Sequence, residues 1–131
     1  MVSGLATAVA AHRPDVRVIG IEPTGSPTLK ASLDAGTCVK LPSVTTKVPT
    51  MACRETDPRI FEVVRATVPH IILVSDEAME AAARWLWFET GVAADLSGAA
   101  SIAALYSGDT VLSECRSICA LICGAGADGV T

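Results

Sequence analysis

Four positions place usable side chains just after short apolar runs: Glu22 after residues 16–21, Ser75 after 71–74, Asp95 within 92–96, and Cys123 after 118–122. In open α/β sheets, ligands bind beyond the carboxyl ends of the strands, so these four are the candidates for chemistry. A carboxylate there could hold a cation or move a proton, and a hydroxyl or thiol could contact a ligand. They do not form a complete catalytic set. The sequence has no G-x-S-x-G elbow, no G-x-x-x-x-G-K loop and no H-E-x-x-H pair. His12 reads as a helix-end residue, and it is far in sequence from His70. Cys115, Cys119 and Cys123 recur every four residues, but the apolar residues among them predict a buried strand, which would send the thiols to different faces.

The elements that must position these groups alternate. Ser3 is the expected cap of a helix reaching Arg13, ended by Pro14, and residues 16–21 read as a strand covered on both faces and ended by Glu22-Pro23. Ser26-Pro27 opens a second helix that stops near Gly36. The following stretch to Thr56 is too long for an idle connection. Asp57 as cap with Pro58 behind it starts a third helix, and 71–74 is a second strand. Ser75 opens a fourth helix with Met79, Ala82, Ala83 and Leu86 inward; Trp85 and Phe88, outside that stripe, predict cover on more than one side. Ser97 is expected to cap a small-residue helix, and 118–122 to form a last strand running into the Cys123-Gly124-Ala125-Gly126 turn. The class is α/β, with a mostly parallel sheet flanked by helices.

Four segments, in order, resemble the second half of fold-type-II pyridoxal-phosphate enzymes, the class of serine/threonine dehydratases and serine racemases. They are Val18-Ile19-Gly20-Ile21-Glu22-Pro23, Met51-Ala52-Cys53-Arg54, Ile72-Leu73-Val74-Ser75-Asp76-Glu77 and Asp95-Leu96-Ser97-Gly98-Ala99-Ala100. The turn at Cys123 resembles the family's Ser/Cys-Gly-Gly-Asn, and the Met-Ala-Cys-Arg segment is most similar to the branch that includes hydroxyectoine-utilisation dehydratases. The resemblance implies the large domain of a tryptophan-synthase-beta-like fold, with residues 1–131 forming one domain, the C-terminal portion of a catalytic unit. It implies pyridoxal phosphate as cofactor, with Cys123 beside the pyridine nitrogen, Gly124 next to it, and Asp95 where the family has a glutamate facing cofactor and substrate. Glu22 resembles a carboxylate that binds a divalent cation in some members. One carboxylate with carbonyls makes a poor site for a hard cation, so solvation of Glu22 at a strand end is the favoured reading. The Schiff-base lysine and phosphate-binding glycine loop belong to the family's first half. Lys30, Lys40 and Lys47 lie in unlike contexts, so this chain is not expected to hold the cofactor alone. Thr50 and Gly126 depart from the family's glycine and asparagine.

The implied reaction eliminates the β-hydroxyl of a small amino acid to give a 2-oxo acid and ammonia. The alternative is a non-catalytic binding or interaction module on the same fold. Composition constrains the partners. Acidic residues number 14 and basic ones 10, giving −4 without a basic stripe, which excludes a nucleic-acid surface. No apolar run approaches the roughly 18 residues of a membrane span. Met1-Val2-Ser3-Gly4 carries no secretory pattern, so the expected compartment is the cytoplasm and the five cysteines are read as thiols. With 50% hydrophobic and 18% charged residues, an apolar face left for a partner is expected, either a second copy or the missing N-terminal half.

Overall fold

The computed structural model describes residues 1–130. Its elements in chain order are α1 (Val2–His12), β1 (Ile19–Pro23), α2 (Thr28–Ala35), α3 (Pro58–Thr67), β2 (His70–Val74), α4 (Asp76–Trp85), α5 (Leu96–Leu105) and α6 (Thr110–Ser113). β1 and β2 pair in parallel, from Ile19 opposite His70 to Pro23 opposite Val74. Parallel strands need a crossover, which here is α2, the long loop and α3. Side chains alternate across the strands. Ile71 turns to a cluster with Ala6, Val64 and Val68 under α1 and α3, whereas Ile72 and Val74 turn to the larger cluster of Met79, Ala82, Ala83, Ala99 and Ala103 under α4 and α5. The sheet is therefore the middle of three layers, the α/β architecture expected.

Local signals explain most boundaries. Asp57 accepts the Arg59 N–H at 2.8 Å, with Pro58 at the first helical position of α3, and Ser75 accepts the Ala78 N–H at 3.1 Å to start α4. Gly36 ends α2 at φ 69°, a left-handed conformation that glycine adopts without steric cost. Small residues let α5 lie close on α4, since Gly98, Ala99, Ala100, Ala103 and Ala104 are all buried.

Several expectations are corrected. α1 begins at Val2, so Ser3 lies inside it and caps nothing. The first strand is shifted to 19–23, because pairing with β2 sets its extent, and Glu22-Pro23 belongs to it. Asp95, not Ser97, caps α5. Residues 92–96 contribute only one antiparallel bridge, Ala94 to Ala125. Residues 118–122 are irregular, with Ile118 46% and Leu121 48% exposed and Cys119 and Cys123 at the surface, because no strand among the described residues lies beside them to offer a ladder. Trp85 and Phe88 are also exposed. Trp85 meets Tyr106 edge-on at 5.9 Å, and Arg84 stacks over Phe88 at 5.5 Å.

Candidate functional site

The carboxyl ends of β1 and β2 open on one side of the sheet, and each runs into a carboxylate. Glu22 reaches across to the start of α2 and accepts the N–H groups of Leu29 and Lys30, both at 2.8 Å. Burial pushes its carboxyl above the ordinary value of 4.5, against the pull of these backbone donors. Asp76, just past β2, takes the Lys47 N–H and the Thr46 hydroxyl, both at 2.6 Å. Those donors hold its carboxyl below the ordinary range. Between the two strand ends lies a polar recess of about 250 Å³ lined by Thr24, Gly25, Thr45, Thr46, Lys47, Asp76 and Glu77. In the sequence only the length of the long loop points to Thr45 and Thr46, and Lys47 stands out there only as a lysine in an unlike context.

A second set of contacts fixes the Met-Ala-Cys-Arg segment. The Ser26 hydroxyl donates to the Cys53 carbonyl at 2.6 Å and accepts the Cys53 N–H at 3.0 Å, and the Thr28 hydroxyl donates to the same carbonyl. Arg54 donates to the carbonyls of Leu41 and Pro42 at 2.7 and 3.0 Å. Ser26 and Thr28 are buried, so these bonds hold the long loop to the start of α2. Thr28 is itself part of this staple. Among the described residues no group of three or more His, Cys, Asp or Glu could hold a metal.

Asp95 and the Cys123 turn do come together, at the start of α5. The Asp95 N–H donates to the Gly124 carbonyl at 3.1 Å, and the Gly126 N–H donates to Ala93 at 3.3 Å. Gly98 and Gly124 permit the approach: a Cβ on Gly98 would strike the Gly124 carbonyl, and one on Gly124 would strike the Asp95 carboxylate. Cys123 itself is exposed. The Asp95 carboxylate, however, accepts the Gly98 N–H at 2.5 Å and the Ser97 hydroxyl at 2.8 Å. Asp95 therefore caps α5 through Oδ1, with Ser97 and the Gly98 N–H as its partners.

The sequence profile described as "Pyridoxal-phosphate dependent enzyme" matches residues 1–124, ending in the turn held by Asp95. The chain belongs to that family. The Ralstonia pickettii phenylserine dehydratase is 29% identical over 131 residues, all of this chain but 40% of that protein. The L-threonine ammonia-lyase of Geobacter sulfurreducens is 28% identical over 121 residues, 92% of this chain and 30% of that protein. Among solved structures, the T.th. threonine deaminase superposes with a TM-score of 0.78 at 32% identity, over 84% of this chain and 37% of its own. Maize serine racemase gives 0.78 at 32%, over 82% and 33%. The chain thus spans well under half the length of these family members.

Pyridoxal phosphate is the family's cofactor, and the residues described here do not fit it by themselves. A phosphate wants free N–H groups at a helix start. Four of those starts are already served by the chain's own side chains: α2 by Glu22, α3 by Asp57, α4 by Ser75 and α5 by Asp95, with Asp128 accepting the Leu96 N–H at 2.9 Å; the start of α1 has no side-chain cap. Lys30 is paired with Asp34 at 2.6 Å and Lys40 with Glu55 at 3.1 Å. What the chain can offer a cofactor is the exposed Cys123 thiol on an anchored turn and the uncapped start of α1. No helix among the described residues is long and apolar enough to cross a membrane.

Proposed function

We propose that this chain is the C-terminal portion of a dehydratase-type ammonia-lyase, and that it supplies the Cys123 wall of a site completed by a lysine-bearing first half. One observation carries this reading: the family match runs through the turn at 123–124, which the fold locks to the start of α5. The substrate would be a small β-hydroxy amino acid, as the names of the phenylserine and threonine relatives suggest, and the products a 2-oxo acid and ammonia. The cofactor supplies stabilisation of the negative charge developing at the substrate's α-carbon when it is bound. This chain's part is to present the Cys123 thiol, a neutral contact for a ring edge, while Gly124 keeps that turn close to the helix. Residues 1–131 act as one domain, in the cytoplasm. Placement near the hydroxyectoine-utilisation branch rests on the resemblance of Met51-Ala52-Cys53-Arg54.

Complementation tests the proposal. The chain is mixed with the first half of a close relative, and 2-oxo acid release from serine and threonine is followed. Weak activity that rises with concentration is expected, since association costs on the order of several kcal/mol that a continuous chain avoids. Cys123→Ser should preserve that activity, and Cys123→Asp should lower it. Absence of 2-oxo acid at every concentration would leave the non-catalytic interaction module as the better account.

A further inference from the structure

The polar recess between the carboxyl ends of β1 and β2 is held from both sides. The Thr45 N–H donates to the Gly25 carbonyl at 2.9 Å, which ties the long loop to the end of β1. Gly25 lets the loop come that close, since a Cβ there would strike the Thr46 nitrogen and the Thr45 hydroxyl. On the other side the Asp76 carboxylate takes the Thr46 hydroxyl and the Lys47 N–H, both at 2.6 Å, at the start of α4. The walls are therefore fixed without the side chains of Thr24, Thr45, Lys47 and Glu77, which line the recess and are exposed.

Those four side chains carry unused polar groups. Among the described residues neither the Lys47 ammonium nor the Glu77 carboxylate enters an ion pair, and the Thr24 and Thr45 hydroxyls engage no other group of the protein. The Lys47 N–H holds the Asp76 carboxyl below its ordinary value, and Glu77 is held down by its own N–H and the Ser75 hydroxyl, so both are charged at neutral pH. One ammonium against two carboxylates leaves the recess at −1, which turns away phosphates and other dianions. A divalent cation fits no better. It wants several oxygen ligands, the ammonium repels it, and no group of three or more His, Cys, Asp or Glu gathers among the described residues. Opposite charges set apart in one recess match a ligand that carries both an ammonium and a carboxylate. The volume of about 250 Å³ lies below the roughly 300–1,000 Å³ of pockets for drug-sized molecules, which limits that ligand to a few carbons. Threonine hydroxyls in place of apolar walls favour a polar side chain on it.

We propose that this recess binds a small polar amino acid as its zwitterion, with the ammonium against Asp76 and Glu77, the carboxylate against Lys47, and the side chain toward Thr24 and Thr45. The proposal does not depend on the Cys123 wall, because no residue of that turn lines the recess. Charges this exposed are screened by salt, so the affinity is modest and falls as salt is added.

Titration of the full chain with L-serine, followed by amide chemical shifts, is the test. Saturating shifts are expected at Thr45, Lys47 and Glu77. Ethanolamine, which lacks the carboxylate, and 3-hydroxypropionate, which lacks the ammonium, should each bind about tenfold or more weakly. Lys47→Met and Glu77→Gln should each lower the affinity for L-serine by about tenfold, with the urea midpoint showing that both variants stay folded. Lys47→Arg, which keeps the charge, should retain binding. Equal binding of either singly charged analogue overturns the zwitterion site, as does L-serine binding indifferent to both neutralising substitutions. Saturating shifts confined to other parts of the chain, or no saturable shift at all, overturn it as well.

Discussion

Along one edge β1 meets β2 in five registered pairs, with packed clusters above and below; along the other it faces a groove, an orphan serine hydroxyl and a wall of half-exposed apolar residues. The two sides have similar sequences, since 118–122 is as apolar as 70–74. They differ in what lies next to them. An apolar run becomes a strand when a neighbour completes its hydrogen bonds, and stays irregular when none does. The closed side can fold as a core; the open side leaves apolar residues and a buried hydroxyl without partners among the described residues.

The widest contrast is in packing. Met79 is fully buried between the sheet and α5, so Met79→Ala should cost about 2–5 kcal/mol in urea unfolding, enough to threaten a small domain. Ile118→Ala, on the groove wall, should change stability by about 0.5 kcal/mol or less in the isolated chain. Equal losses at the two positions would mean that the groove is closed in solution, and the comparison would fail.

A smaller effect is expected where the last turn meets α5. Asp95→Ala removes the cap and should cost about 0.5–2 kcal/mol, measurable as a lowered denaturation midpoint. Asp95→Asn should retain most of that stability. Asp95→Glu should not, because the longer side chain has to fit beside Gly124 and Gly126, whose missing Cβ atoms make room for Asp95. If Asp95→Glu were fully stable and raised the activity of the complemented enzyme, the residue would be facing substrate and not capping the helix.

These contrasts show which features the sequence makes legible. Asp57-Pro58, Ser75 and Gly36 act within one turn of chain, so their roles follow from residue type alone. The α/β alternation is legible for the same reason. The choice between Asp95 and Ser97 as cap was not local: both types cap well, and contacts with Gly124 and Asp128, about thirty residues away, decide it. Residues 118–122 carry strand propensity without an address for their partner. The recess at Thr45 to Lys47 depends on Asp76 reaching back to the long loop, and nothing in its spacing announces that contact.

The finest test compares the carboxylates at the two strand ends, which respond to acid in opposite ways. Glu22 is pushed above 4.5 by burial, so the folded state holds its proton more tightly than the unfolded one. Its contribution is fully present below pH 4.5 and is lost as pH rises through the folded value. Asp76 is held below 3.8 by the Lys47 N–H and Thr46 hydroxyl, so its contribution is present above 3.8 and lost as pH falls through the folded value. Urea midpoints collected across the acidic range for the parent and for Glu22→Gln should therefore diverge in the parent's favour as pH drops toward 4.5. Asp76→Asn should give a difference of the other sign at lower pH, where the parent's advantage shrinks. A Glu22→Gln difference that stays flat with pH would mean that Glu22 is hydrated, and that the clamp between β1 and the start of α2 is open in solution. That outcome would move the boundary between closed and open regions from the edge of β1 to its carboxyl end.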